Sequence, residues 1–147
     1  MKILIDGDGC PVIRMTEQIA IAAHIPVTIV VDYNHQIQSS YAQVVTVDQG
    51  NDSADFVLFG LIQKGDLIIT QDYGVASLAL SKGAYALHQS GREYTQDNIE
   101  QLLFERHLSK KQRNSKKKKH YTPIAKRTPE DDLHFQESLL ALLKLHI

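Results

Sequence analysis

Short apolar runs, each long enough for one β-strand, alternate with stretches of helical spacing along most of the chain. The first run, residues 2–5, is apolar at consecutive positions after Lys2, as expected for a strand that is covered on both faces. The other runs share this β-prone character and lie at 27–31, 43–47, 66–70 and 85–87. A chain built in this way is expected to form an α/β fold around a mainly parallel central sheet of about five strands.

Helix signals stand between and after these runs. Pro11 suits a first helical turn, because its missing N–H would be unpaired there anyway. A second helix begins after the capping residues 50–53, and Thr95 is expected to cap a helix that continues to about residue 108. A short helix over 75–82 is closed by Gly83. The start signal at 128–131, a cap followed by proline and acids, predicts a last helix.

The apolar spacing within these helices predicts their buried faces. The residues expected to point inward are Val12, Met15, Ile19, Ala22 and Ala23 in the first helix, Phe56, Phe59 and Ile62 in the second, and some of Phe135, Leu139, Leu142 and Leu143 in the last.

Composition narrows the class of protein. The chain has 147 residues, which suits one domain, and its 43% hydrophobic and 22% charged residues are typical of a globular protein. No apolar run approaches the roughly 18–20 residues that span a membrane, and the N-terminus does not resemble a signal peptide. The single cysteine, Cys10, excludes an internal disulfide and a cysteine-cluster metal site. We therefore expect a cytoplasmic protein with no membrane association.

Aspartates follow the predicted strands at the edge where parallel sheets bind ligands. Asp6 and Asp8 follow the first strand, and Asp72 follows the fourth. Asp52 and Asp55 begin the helix before that strand; Asp52 is better explained as a helix cap, and Asp55 equally well by the helix dipole. Asp6 is harder to explain in this way, because a carboxylate that ends a buried strand is costly without a partner.

Clustered carboxylates repel one another unless a proton or a cation neutralises them. Hard oxygen ligands of this kind suit Mg²⁺ or Mn²⁺, and such an ion assists chemistry on phosphate groups. We therefore predict a divalent metal site, with catalytic function, formed by Asp6, Asp8, Asp55 and Asp72.

Several motifs resemble those of the YaiI/YqxD family of bacterial proteins, and together they cover nearly the whole chain. They are Asp6-Gly7-Asp8-Gly9-Cys10-Pro11-Val12, Gly50-Asn51-Asp52-Ser53-Ala54-Asp55, Gly65-Asp66 with Thr70-Gln71-Asp72-Tyr73-Gly74, Gly91-Arg92, and Asp97-Asn98-Ile99. One departure is that Gly7 and Gly9 replace small alanines that are common in the family's first motif, which we expect to loosen this turn without removing a ligand.

The resemblance implies a fold and an activity. The family is similar to the PIN-like group of metal-dependent nucleases, which implies a three-layer PIN-like (Rossmannoid) domain over 1–147, with additional C-terminal helices and a basic loop at about 109–127. It also implies acidic ligands after the first and fourth strands and on the helix between them, where Asp6, Asp72 and Asp55 stand; Asp8 is expected to join them.

Basic residues indicate a second feature, a contact with nucleic acid. Lys116, Lys117, Lys118 and Lys119 lie in the basic segment and could pair with a phosphate backbone, although a solvated loop explains them equally well. Arg92 is a further candidate for a phosphate contact.

Three functions fit these residues. The first is a metal-dependent nuclease that cleaves RNA or, less readily, DNA. The second is a phosphatase of the haloacid-dehalogenase type with Asp6 as nucleophile and Asp8 as acid/base, because that class also places D-x-D-G after an apolar strand; Cys10-Pro11 replaces its expected threonine. The third is a non-catalytic RNA-binding module.

Overall fold

The computed structural model describes residues 1–32, 37–48, 53–113 and 126–146. Lys116–Lys119 and Asp52, for which functions were predicted above, lie outside these ranges. The elements in chain order are β1 (Ile3–Asp6), α1 (Ile13–Ala23), β2 (Val27–Asp32), β3 (Gln43–Val47), α2 (Ser53–Leu61), β4 (Leu67–Ile69), α3 (Tyr73–Ser81), β5 (Tyr85–Leu87), β6 (Glu93–Tyr94), α4 (Gln96–Arg113) and α5 (Pro129–His146).

The strands form a single six-stranded sheet in the order β3-β2-β1-β4-β5-β6. All neighbours are parallel except β5 and β6, which are antiparallel. In β1, Asp6 pairs with Val30 of β2, and Ile5 pairs with Ile69 of β4. The carboxyl ends of β1, β2 and β4 therefore lie side by side, and the predicted mainly parallel sheet is confirmed.

Helices cover both faces of the sheet. Ile3 and Ile5 of β1 pack in one core with residues of α1 and α5, whereas Leu4 packs in the other core with residues of α2, α3 and α4. This separation follows from the two-residue period of a strand, which directs successive side chains to opposite faces. The result is the three-layer, Rossmann-like α/β arrangement that the sequence predicted.

Two predicted helix faces differ from the structure. Phe56 and Phe59 are 80% and 39% exposed, and the side chains that α2 and its end bury are Leu58 and Ile62. Leu58 and Ile62 are four residues apart and so lie on one helical face, while the two phenylalanines fall outside it. In α1, the predicted Ala22 is exposed, and Thr16 is fully buried with its hydroxyl bonded to the Val12 carbonyl at 2.8 Å.

The C-terminal helices are confirmed, with one change of boundary. Phe135, Leu139, Leu142 and Leu143 are all buried, and Thr128 and Asp131 cap α5 reciprocally. Helix α4 continues through Arg113, so residues 109–113, which were assigned to the basic loop, are helical. In the part of the chain that the structure describes, no helix combines the length and the apolar character that crossing a membrane requires.

Candidate functional site

The predicted aspartates gather at the carboxyl edge of the sheet. Asp6 is the last residue of β1, and Asp72 follows the neighbouring β4. Asp55 lies in the first turn of α2, on the face of the sheet that holds Leu4. The charges of Asp55, Asp72 and Asp8 all act on the Asp6 carboxyl. A cavity of about 380 Å³ opens here, and its lining residues are Asp6, Asp8, Gln71, Asp72, Tyr73 and Arg106.

Thr70 connects the two central aspartates. Its hydroxyl donates a hydrogen bond to Oδ2 of Asp6 at 2.8 Å and accepts one from the backbone N–H of Asp72 at 3.0 Å. The Thr70 side chain is held in turn, because the residue is 2% exposed and its carbonyl accepts a bond from the Tyr94 hydroxyl at 3.1 Å. One hydroxyl group therefore fixes the relative positions of the β1 and β4 ends.

Asp6 carries the perturbed charge of the site. Burial is the main cause that raises the pKa of its carboxyl to about 6, the Thr70 hydrogen bond opposes that rise, and the negative charges of Asp55, Asp72 and Asp8 add to it. Functional sites often contain an acid whose pKa is shifted toward neutral pH, and in parallel sheets they often lie at this edge.

Asp8 is tied to the next strand. Both of its carboxylate oxygens accept from the backbone N–H of Asp32, at 3.2 and 3.3 Å. Asp32 ends β2 as Asp6 ends β1, and it brings a further acid to this edge that our sequence reasoning missed. The same signal, an aspartate directly after an apolar strand, was available in the sequence to find it.

Gly7 packs tightly against β2. A Cβ at this position would lie 2.6 Å from Cγ1 of Val31 and 2.8 Å from Cγ2 of Ile29, and the Gly7 N–H donates to the Val30 carbonyl at 2.9 Å. The expectation that glycine loosens the first turn is therefore wrong at this position. The missing side chain allows the turn to approach the neighbouring strand and to present Asp8.

Asp72 has two structural roles. Its Oδ1 accepts from the N–H groups of Gly74 and Val75 at 2.8 and 3.3 Å, which caps α3. The same oxygen pairs with Nη1 of Arg106 at 3.2 Å. Within the described part of the chain, every hydrogen bond to this carboxylate involves Oδ1, so Oδ2 is the oxygen that remains for a ligand.

Two arginines border the cavity. Arg106, on α4, was not singled out from the sequence, because nothing in the chain before it indicates which side of a long polar helix faces the site. Arg92 was predicted as a phosphate contact; it is exposed, and its Nη2 lies 3.4 Å from the hydroxyl of Tyr73, a residue that lines the cavity. The structure thus places Arg92 at the border of the site.

The described residues do not form a preassembled ligand cage. Among them, no group of three or more histidine, cysteine, aspartate or glutamate side chains could hold one metal ion as positioned. Cys10 lies beside the site as a neutral thiol, since burial raises its pKa to about 11. Any cation here would have to be held by individual carboxylates together with water, which is the usual manner of Mg²⁺.

The fold and this edge define a class: Rossmann-like α/β proteins that carry a carboxylate-rich site beyond the ends of parallel strands. The chain belongs to the YaiI/YqxD family, since residues 4–145 match the family model described as "Uncharacterized BCR, YaiI/YqxD family".

Curated relatives agree with this assignment. A UPF0178 protein of Alkaliphilus oremlandii is 49% identical over 147 residues, which cover 100% of this chain and 94% of the relative. The UPF0178 proteins of Clostridium acetobutylicum and Lachnoclostridium phytofermentans are each 46% identical, over 143 and 145 residues, and these matches cover 97% and 98% of this chain and 97% of each relative. No solved structure matches the chain at a significant level.

Proposed function

We propose that this protein is a PIN-like, divalent-metal-dependent nuclease that hydrolyses phosphodiester bonds, with RNA as the preferred substrate and DNA as the alternative. The ligands of Mg²⁺ or Mn²⁺ would come from Asp6, Asp8, Asp55 and Asp72, with water completing the coordination of the ion. When bound, the cation would supply positive charge that stabilises the phosphoryl group during hydrolysis.

One observation carries the proposal: Asp6, Asp8 and Asp72 line one cavity at the edge where parallel sheets bind ligands, and the charge of Asp55 also acts on Asp6. Burial and the negative charges of the other three aspartates disfavour the ionised form of Asp6. Ionisation of Asp6 therefore costs folding free energy, and a bound cation would relieve that cost. This cost supports a functional origin for the aspartate cluster.

The donor set fits a hard cation. All four side chains offer carboxylate oxygens, and the hydrogen bonds by which Asp72 caps α3 go to its Oδ1. Mg²⁺ is commonly bound through one or two carboxylates, with water and substrate phosphate completing its coordination, so the lack of a three-ligand cage among the described residues fits this ion.

The residues around the acids would either hold the acids in position or bind the substrate. Thr70 fixes Asp6 and Asp72 relative to each other, and Asp32 anchors Asp8 through its N–H. Arg92, and Lys116–Lys119 from the segment that the structure does not describe, are proposed to bind the nucleic-acid backbone.

The test is cleavage of end-labelled RNA and DNA strands in Mg²⁺ or Mn²⁺. The native protein is expected to cleave RNA, and Asp6→Asn and Asp72→Asn to reduce the rate by at least about 100-fold while remaining folded. Glu137→Gln is the matched control, since it removes one carboxylate from the exposed surface of α5. Equal rates for all four proteins, or no cleavage by the native protein, would contradict the proposal.

The same variants separate the other two functions. A phosphatase of the haloacid-dehalogenase type would form a phosphoryl-aspartate on Asp6, which mass spectrometry of protein trapped with a small phosphate ester would detect. A non-catalytic RNA-binding module would bind RNA in a salt-dependent manner that survives both aspartate substitutions and weakens when Lys116–Lys119 are neutralised.

A further inference from the structure

Arg106 lies beside the first turn of α3, next to Asp72 and Gly74. Its Nη1 lies 3.2 Å from Oδ1 of Asp72 and lines the cavity together with Asp6. A Cβ on Gly74 would lie 3.1 Å from that same oxygen and 3.6 Å from Nη1. A side chain at Gly74 would crowd Oδ1 of Asp72 but would lie at ordinary contact distance from the guanidinium, so glycine keeps this carboxylate unobstructed.

The Asp72–Arg106 ion pair is weak, so Arg106 can leave Asp72 at little cost in free energy. Its side chains are 31% and 51% exposed, and an ion pair in this environment stabilises a protein little. Arg106 nevertheless partly neutralises a carboxylate that a cation would also need. A cation would use Oδ2 while Arg106 holds Oδ1, and repulsion between the two neighbouring positive charges would weaken the Arg106 pair.

We propose that Arg106 is a substrate-binding residue that pairs with Asp72 when no cation is bound and turns to a substrate phosphate when a cation binds the same carboxylate. This inference rests on the function proposed above and specifies how the site recognises its substrate. The ligand class is a phosphodiester anion, because a guanidinium released at the wall of an acidic cavity keeps its charge and needs a new oxyanion partner.

The first measurement is calorimetric titration of the native protein with Mn²⁺ alone, compared with Arg106→Ala. Loss of the neighbouring guanidinium is expected to tighten Mn²⁺ binding by about two- to fivefold, the range of an exposed ion pair. Arg92→Ala is the matched control: it removes the same charge from the border of the same cavity without touching Asp72. Its effect on Mn²⁺ affinity is expected to be clearly smaller.

The second measurement uses a fluorescein-labelled phosphorothioate oligouridylate, which resists cleavage, at saturating Mn²⁺ and fixed ionic strength. Fluorescence anisotropy is expected to show that Arg106→Ala binds this probe about 10- to 100-fold more weakly, as for loss of a charge-assisted hydrogen bond. Arg106→Lys keeps the charge without the planar fork and is expected to recover part of the loss.

Arg106→Ala is thus expected to tighten Mn²⁺ binding and to weaken probe binding, and a general loss of structure would not produce both effects. A native protein that binds Mn²⁺ with an affinity that Arg106→Ala leaves unchanged, or probe binding that Arg106→Ala does not weaken, would overturn the inference about Arg106 and leave the proposed function standing. A native protein that binds no Mn²⁺ would overturn both. Circular dichroism of each variant verifies that the fold is retained.

Discussion

At the scale of single residues, the ionised form of Asp6 that cation binding requires lowers the stability of the folded protein. Its folded-state pKa of about 6 lies above the usual value of 3.8, so the folded protein binds this proton more tightly than the unfolded chain does. The folded state is therefore not penalised below pH 3.8. It loses stability as the pH rises toward about 6, and the full loss is present above that value.

Asp6→Asn should remove this penalty. Because Asn keeps an oxygen that can accept from Thr70, we expect the variant to be more stable than the native protein at pH 8, by at most about 3 kcal/mol. The gain should shrink as the pH falls through 6 and disappear near pH 4. Urea denaturation at several pH values measures it, with Glu137→Gln as the control. A gain that does not depend on pH would argue against the assigned cause.

Thr70 gives a second residue-scale prediction. Thr70→Val keeps the shape of the side chain and removes the hydroxyl that donates to Asp6 and accepts from the Asp72 N–H. We expect a loss of about 1–3 kcal/mol in the free energy of unfolding, because both partners are left less well satisfied. Thr70→Ser should retain most of the native stability. If Val and Ser at this position were equally stable, the hydroxyl would have no linking role.

The sequence predicts the acids of the site better than its arginine. Asp6, Asp8, Asp55 and Asp72 were found because each stands where a strand ends or a helix begins. Asp32 carried the same signal and was overlooked. Arg106 could not have been found, since its approach to Asp72 depends on how α4 packs beside α3, and no local pattern records that packing.

At the scale of elements, the first turn depends on the close approach of β1 and β2. Gly7→Ala would bring a methyl group against Val31 and Ile29, which are held within the sheet, and we expect it to lower stability by about 1–3 kcal/mol. Gly60→Ala in α2 is the matched control, because beyond its chain neighbours and the backbone of α2 no atom of the described residues lies within 4 Å of its Cβ position.

The control should change stability in the opposite direction. Alanine favours a helix over glycine by about 0.5–1 kcal/mol, so Gly60→Ala is expected to stabilise the protein. Thermal denaturation of both variants measures these changes in stability. If the two alanines had the same effect, the tight packing of Gly7 would not be the cause.

The sequence predicts elements well where many apolar residues repeat and poorly where few do. Strands β1 to β5 and the buried residues of α5 followed from such runs. The two-residue β6 was missed, because a strand so short has no pattern to detect. Phe56 and Phe59 were placed inward on hydrophobicity alone, whereas the position of α2 against the sheet buries Leu58 and Ile62 instead.

At the scale of the whole molecule, the strand order explains how distant acids meet. Central β1 lies between β2 and β4, so the residues that follow all three strands share one edge, although Asp6, Asp32 and Asp72 are far apart in the chain. Alternation of strands and helices predicts a parallel sheet, and a parallel sheet predicts a common edge. The distances within that edge depend on side-chain packing, which only the structure supplies.

Calorimetric titration with Mn²⁺ measures whether the aspartates at this edge of the sheet bind a divalent cation. We expect saturable binding to the native protein and to Glu137→Gln, and binding that is lost or at least about tenfold weaker in Asp6→Asn. Titrations that show no binding to the native protein, or the same affinity for Asp6→Asn as for the native protein, would contradict the account.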